Sequence, residues 1–395
     1  MSTFKYYISQ IIPKSWKVSA LVVLTAYLYY LPSPIDPPPF MYPTPLPVLE
    51  GPLKQNFVLQ KATRLFEGRV VGPESFAVNE NGTVFTGLAD GRVVAFKGQE
   101  LWEVTRFTEN QSGCGSFELE PICGRPKGMK VDKNGDLLVL ESYTGLYRVN
   151  VVTGQKIVLV SSTEGYSNVP FRFLNGLDID SKGLVYFTDS STRWDRRNYR
   201  YEVMELRNTG RFLQYNPGNG ELKLLLDNLY LPNGVAVSAD ESFVLVAEMN
   251  ICRVRRYYLK GSKAGQSDIF ADNLPGYPDN IKITSSGNFY IGMGAVRYEG
   301  LSRLGPFLDL VAPYPALKRF IAKITPLFLY DLFVPKHSMI LEYDIHGRVV
   351  SSLHDPVADV IPFAGEGFEF NHTLYIGNFR IPFIGQLKLD NLDND

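Results

Sequence analysis

Cysteine, histidine and tryptophan are scarce, at 3, 4 and 3 of 395 residues. Cys114 and Cys123 bracket Gly-Ser-Phe-Glu-Leu-Glu-Pro-Ile with no histidine or second cysteine pair nearby. That excludes a zinc site and leaves a short loop that an oxidising compartment can staple. Cys252 is left over and reads as a small buried residue rather than a reactive thiol. Net charge is lacking too: 40 Lys and Arg against 41 Asp and Glu give a formal charge of -1. No basic run coincides with a nucleic-acid-binding motif, so no DNA or RNA partner is expected. A long hydrophobic run is missing as well, because the uncharged stretch Val18 to Leu31 is short enough to be ambiguous between a signal-peptide core and a membrane span.

The flanks of that stretch favour an anchor. Lys5, Lys14 and Lys17 lie only on its N-terminal side, Trp16 and the Tyr27, Tyr29, Tyr30 cluster suit the two interfaces, and no small-residue cleavage site follows. The expectation is a single-pass type II membrane protein of the secretory pathway or plasma membrane: a cytosolic tail over 1–17, a signal anchor over 18–31 and a lumenal or extracellular body. A cleaved signal and a buried helix are the alternatives. Over 32–52 prolines crowd around Ile35, Phe40 and Met41, a composition of semi-rigid extended backbone, and a stem holding the body off the membrane is expected. Asn81, Asn110 and Asn371 head glycan acceptor sequons.

What the sequence does contain is a weak repeat. Ala77-Val-Asn-Glu-Asn-Gly-Thr-Val-Phe-Thr, Lys130-Val-Asp-Lys-Asn-Gly-Asp-Leu-Leu-Val, Asp178-Ile-Asp-Ser-Lys-Gly-Leu-Val-Tyr-Phe, Ala236-Val-Ser-Ala-Asp-Glu-Ser-Phe-Val-Leu and Lys282-Ile-Thr-Ser-Ser-Gly-Asn-Phe-Tyr-Ile each read as strand, polar turn, strand. Glu369-Phe-Asn-His-Thr-Leu-Tyr-Ile is a shorter sixth copy, and most copies lead into a further strand pair. Four strands per copy predict an all-β, six-bladed β-propeller over 53–395. The gap between the fifth and sixth copies is longer than the others, which places an insertion over 300–337 before the last blade. Its segments around Leu308 and Leu317 read as helical. A lid over one propeller face, a membrane-contacting patch and a side domain all fit it.

In a propeller the inner strand of every blade runs along a central channel, so equivalent positions just before those strands converge. Counting back the same distance in each copy reaches Glu74, Lys127, Asn175, Asn233 and Asp279, with Asn280 adjacent. Two carboxylates with amide carbonyls suit a hard divalent cation, and Ca²⁺, tolerant of flexible oxygen coordination, is expected over Mg²⁺. The plainer alternative is that Asn-Gly and Asp-Asn mark turns.

Several motifs carry a family resemblance: Pro73-Glu-Ser-Phe, the stretch from Cys114 through Glu120-Pro-Ile-Cys-Gly-Arg-Pro-Lys-Gly, Phe173-Leu-Asn-Gly-Leu-Asp-Ile, Leu231-Pro-Asn-Gly-Val-Ala-Val-Ser and Gly276-Tyr-Pro-Asp-Asn-Ile. The chain beyond the stem resembles the strictosidine-synthase-like propellers, themselves linked to paraoxonases and gluconolactonase-type lactonases. The resemblance implies calcium held by Glu74, Asn175, Asn233, Asp279 and Asn280, polarising the carbonyl of a small hydrophobic aryl ester or lactone. A paraoxonase-type histidine base has Lys127 in its slot, so Asp279 or Lys127 is the candidate base, and a structural Lys127 is the blander account. Strictosidine synthase condenses an amine with an aldehyde using a glutamate near the final blade, a region holding Glu366 and Glu369. Three functions therefore stand open: a calcium-dependent esterase or lactonase, a non-catalytic propeller for adhesion, binding or membrane-protein regulation, and the condensation enzyme.

Overall fold

Six four-stranded antiparallel sheets succeed one another along the chain and close into a ring. The structure, a computed structural model, describes residues 14–109, 112–301 and 306–391. The inner strands of the six blades are Phe76–Val78, Pro126–Val131, Leu174–Ile179, Pro232–Val237, Gly276–Ile283 and Glu366–Phe370. Five blades are built from consecutive strands. The sixth takes its outermost strand from the start of the body, where Thr63–Leu65 pairs antiparallel with Ile384–Lys388, Arg64 opposite Gly385. This pairing ties the two ends of the propeller together and leaves no open blade interface.

Period-two alternation explains how the blades stack. Along the second strand of blade 2, Leu137 and Val139 pack against Phe85 and Ala95 of blade 1. The intervening Leu138 and Leu140 pack against Leu174 and Phe187 of blade 3. Successive side chains of a strand point to opposite faces, so a strand covered on both faces must be apolar throughout. Leu137–Glu141 and Val185–Asp189 are buried at every position, whereas the outermost strand Glu100–Arg106 is mostly exposed. The core is accordingly a ring of six apolar layers, one between each pair of adjacent blades.

The insertion falls between the fifth and sixth repeats, and the strand pairing locates it inside blade 5, where Phe289–Val296 pairs across it with Ser338–Tyr343, Phe289 opposite Tyr343. Within it lie short helices Phe307–Val311 and Pro315–Ile324 and a 3-10 turn Leu327–Phe333. The Pro-rich segment is a strap on the propeller, not a free stem. Ile35 and Tyr42 are 2% and 6% exposed. Its backbone is held by Phe40 N donating to Ala312 O at 3.1 Å, Arg297 donating to Pro43 O at 2.7 Å and Asn273 donating to Pro45 O at 2.9 Å. Proline composition fixes an extended backbone but does not say whether that backbone finds a surface to lie on.

The N-terminal helix Lys14–Tyr30 has 17 residues and leads straight into this strap. No helix among the described residues is long and apolar enough to cross a membrane. Lys323 of the insertion donates to the Leu28 and Tyr29 carbonyls at 3.2 and 2.9 Å, so the helix end sits beside the insertion. Lys5 lies outside the described residues.

Candidate functional site

Four inner strands break their ladder at the same place. Pairing with the second strand skips between Pro126 and Met129, Leu174 and Leu177, Pro232 and Val235, and Pro278 and Ile281. A bulge frees residues from the ladder and re-aims their side chains. The freed residues include Lys127, Asn175, Asn233 and Asp279. The glycines that follow three of them have a packing reason. A Cβ on Gly128, Gly176 or Gly234 would lie 2.6, 2.2 or 2.6 Å from the carbonyl oxygen of Asn175, Asn233 or Asp279 on the next inner strand. The Asn-Gly pairs are thus strand residues at which neighbouring blades converge, not turns.

A second repeat, unread in the sequence, fixes the loops that deliver these strands. A buried acid ends the second strand of blades 2, 3 and 4. Glu141 accepts from Arg125 N at 2.5 Å, Asp189 from Phe173 N at 3.0 Å and Glu248 from Tyr230 N at 3.2 Å. Each sits within a few residues of an axial side chain. A buried carboxylate that accepts backbone N–H groups satisfies donors otherwise orphaned at a loop.

Glu74, Lys127, Asn175, Asn233 and Asp279 come together, all buried, lining one cavity of ≈ 150 Å³. Asn280 is buried beside them, its Nδ2 donating to Glu74 O at 3.5 Å. The amide nitrogens serve the framework: Asn233 Nδ2 donates to Asp279 Oδ1 at 2.6 Å and Asn175 Nδ2 to Ser190 Oγ at 3.0 Å. Their oxygens do not. Asn175 Oδ1, Asn233 Oδ1 and Glu74 Oε2 are buried and accept no hydrogen bond within the protein. Lys127 Nζ donates to the other Glu74 oxygen, and the Arg125 guanidinium lies 3.6 Å from Glu74 Oε2.

Burial pushes the Asp279 carboxyl up to about 7, and the nearby Glu74 charge adds to that. Burial acts on Glu74 in the same sense, but the Lys127, Arg125 and Arg196 charges outweigh it and hold Glu74 below the usual carboxylate range. Burial lowers Lys127, against the support of Glu74. A Cβ on Gly365 would come 2.7 Å from Asp279 Oδ2, so that glycine keeps the floor open.

Buried oxygen atoms without a hydrogen-bond partner in the protein are costly unless another ligand meets them, and a calcium ion, which takes about six to eight oxygen ligands, would do so. The donor chemistry therefore fits calcium. Among the described residues no cluster of three or more His, Cys, Asp or Glu suited to a metal occurs, because this donor set is rich in amides.

The remaining candidates lie elsewhere. Glu366 sits beneath the floor, its Oε1 accepting from Phe76 N at 2.7 Å and so joining blade 6 to blade 1. Burial raises it to about 7. Glu369 is further along the same strand, where Ser285 Oγ donates to it at 2.5 Å in a surface turn. Neither lines the cavity. His337 and His354 pair with each other in blade 5. Cys114 and Cys123 form the disulfide, and Cys252 is buried and free. Asn81 and Asn371 are exposed, while Asn110 lies outside the described residues.

The cavity rim is cationic and aromatic, a feature the sequence reading missed. Arg196, Tyr199 and Arg200 come from the blade 3 loop, Phe379 and Arg380 from blade 6, and Asp331 from the insertion. Glu120, in the disulfide loop, accepts from Arg196 at 3.1 Å. The cationic-aromatic run Trp194-Asp-Arg-Arg-Asn-Tyr-Arg-Tyr was the available signal.

Residues 175–262 match the strictosidine synthase family and residues 51–96 the strictosidine synthase-like N-terminal family. Adipocyte plasma membrane-associated protein of Bos taurus is 41% identical over 370 residues, 93% of this chain and 88% of that protein. The protein of the same name from Homo sapiens is 41% identical over 374 residues, 94% and 88% of the two chains. Strictosidine synthase-like 3 of Arabidopsis thaliana is 35% identical over 351 residues, covering 85% of this chain and 87% of that one. Among solved structures, a gluconolactonase of Xanthomonas campestris superposes with a TM-score of 0.56 at 15% identity, covering 91% of this chain and 99% of that one. At such identity the likeness speaks to the fold alone.

Proposed function

For this chain, which belongs to the adipocyte plasma membrane-associated protein family, we propose the activity of a calcium-dependent hydrolase of small aryl esters or lactones. The observation that carries this reading is the trio of buried, unpartnered oxygens of Glu74, Asn175 and Asn233 beside Asp279, at the floor of an apolar cavity. Glu74, Asn175, Asn233, Asp279 and Asn280 would hold the ion. Calcium supplies Lewis acidity toward an ester carbonyl when bound.

The chain's own groups do the rest. Asp279 is oriented by Asn233 and is the candidate to take a proton from water. Lys127 holds Glu74 through one oxygen, and the Arg125 guanidinium lies 3.6 Å from the other. Phe173, Phe307 and Phe333 exclude water and favour an aryl or alkyl substrate. Condensation of an amine with an aldehyde is less supported, since Glu366 and Glu369 both stand outside the cavity. A non-catalytic binding role is favoured by one fact, that Lys127 and Arg125 already balance the Glu74 charge.

A membrane-bound setting goes with this reading, in line with the names of the relatives. The helix Lys14–Tyr30 exposes Leu21, Val22 and Val23 at 60% or more, and the insertion beside it exposes Phe328 and Leu332 at 71% and 78%. Apolar area of this extent marks a membrane or protein contact. The helix rises about 26 Å against roughly 30 Å of hydrocarbon, so the type II span we propose must draw on flanking residues.

The test is hydrolysis of phenyl acetate and a panel of small lactones by the full chain, with calcium and then with a chelator. Turnover that disappears on chelation and returns with calcium is expected. A folded, calcium-loaded protein without turnover sinks the hydrolase reading in favour of the binding one.

A further inference from the structure

Two guanidinium groups at the cavity mouth share one carboxylate. Arg200 forks onto Asp331, Nε to Oδ1 at 2.9 Å and NH2 to Oδ2 at 2.6 Å, while Arg380 NH2 reaches Oδ1 at 3.0 Å. With Arg196 already matched by Glu120, the rim keeps one positive charge in excess.

Both arginines have aromatic supports besides Asp331. Arg200 lies 4.6 Å over the Tyr199 ring, Arg380 lies 4.8 Å over Phe379 and 5.1 Å over Phe363, and Arg380 also donates to the Tyr199 hydroxyl. Both are mostly buried, at 16% and 20% side-chain exposure. Such a pair is preorganised for a planar oxyanion. The turn carrying Asp331, Leu327–Phe333, contains no buried residue, and Phe328 and Leu332 point to solvent. It is seated over the mouth by the Asp331 carboxylate, by Phe333 stacked 4.3 Å from Phe307, and by Tyr330 against the apolar cluster of Met204 and Val311.

We propose that Asp331 is a tethered stand-in for the carboxylate of an amphiphilic organic acid, and that such a ligand binds with its carboxylate between Arg200 and Arg380 and its apolar body in the cavity, displacing the Asp331 carboxylate. This deepens the hydrolase reading and rests on it for the reacting group: the preferred esters or lactones carry a free carboxylate remote from the bond to be cleaved.

The test is equilibrium binding by calorimetry on the full chain, comparing 4-phenylbutyrate with its neutral counterpart 4-phenylbutyramide. The carboxylate is expected to bind about tenfold tighter, the return on a charge-assisted fork. Asp331→Asn is expected to tighten 4-phenylbutyrate binding, because it removes the competitor, and to leave 4-phenylbutyramide unchanged. Arg200→Gln and Arg380→Gln each bring the acid down to the level of the amide. Equal affinity of acid and amide in the unmodified chain, no binding of either, or an Asp331→Asn chain that binds the acid more weakly overturns the proposal. The comparison in the unmodified chain decides even if a variant does not fold. The acid preference without ester hydrolysis would keep this seat and sink the hydrolase reading. Hydrolysis of phenyl acetate without the preference would do the reverse.

Discussion

Asn233 of blade 4 donates its amide to Asp279 of blade 5 at 2.6 Å, while its own oxygen accepts no hydrogen bond within the protein. One contact thus joins two blades and orients the candidate base. Since burial already disfavours the Asp279 carboxylate, Asp279→Asn should change stability in chelator by no more than about 1 kcal/mol. Ester hydrolysis should fall by about a hundredfold or more, the scale of losing a general base. Thermal unfolding and initial rates on the same sample check both halves.

Lys127 and Glu74 form a buried pair across blades 1 and 2. Lys127→Met leaves Glu74 with only the more distant Arg125, and an uncompensated buried charge costs about 3 kcal/mol. The loss is expected in chelator and should be recovered on adding calcium. A variant equally unstable in both conditions would mean that calcium does not act through Glu74.

Blade 5 holds a chain of hydrogen bonds from the Tyr298 hydroxyl to His337 Nδ1 at 3.0 Å, from His337 Nε2 to His354 Nδ1 at 2.8 Å, and from His354 Nε2 to Ser352 Oγ at 2.8 Å. Burial lowers both rings to about 4. An unfolded histidine takes up its proton near pH 6.5, so between 6.5 and 4 the unfolded chain binds more protons than the folded one. Stability should fall as pH drops through that window, by at most about 1.4 kcal/mol per unit for each ring, and less where solvent screens the pair. His354→Gln should flatten the slope in denaturant unfolding series run across this range.

Gly176 stands where a Cβ would meet the Asn233 carbonyl at 2.2 Å. The neighbour is backbone on the adjacent inner strand and cannot swing aside. Gly176→Ala is expected to destabilise by about 3 kcal/mol, the upper end for overpacking. Gly183→Ala is a useful control, because its surroundings are open, although its φ of 83° adds local strain. Denaturant midpoints of the two variants separate interblade crowding from loss of glycine freedom.

The propeller was legible because each blade writes its first two strands as an apolar pair around a polar turn, and the sixth copy survives even without its N-terminal outer strand. The axial register was legible for the same reason: a ring of equal blades turns equal sequence offsets into one place in space. The insertion was legible as a gap, but blade 5's third strand, Ser338–Tyr343, resumes only after it, so the sequence does not show which hairpin it interrupts. The strap was misread because proline reports backbone shape, whereas its burial depends on partners such as Arg297 and Ala312 far along the chain. The rim of Arg196, Arg200 and Arg380 was missed because loops of unrelated length and composition converge there, with no shared offset to count. Glu366 and Glu369 illustrate the opposite error: nearness to the final blade's inner strand does not say which end of it a side chain occupies.

We propose that the axial oxygens of Glu74, Asn175, Asn233 and Asp279 hold calcium, and calorimetric titration of the chelator-treated full chain with calcium, with magnesium as the comparison, is the direct test. One site filled by calcium in preference to magnesium is expected, and none in the Asp279→Asn chain. A folded, chelator-treated protein that takes up no calcium, or takes it up equally well after Asp279→Asn, would contradict it.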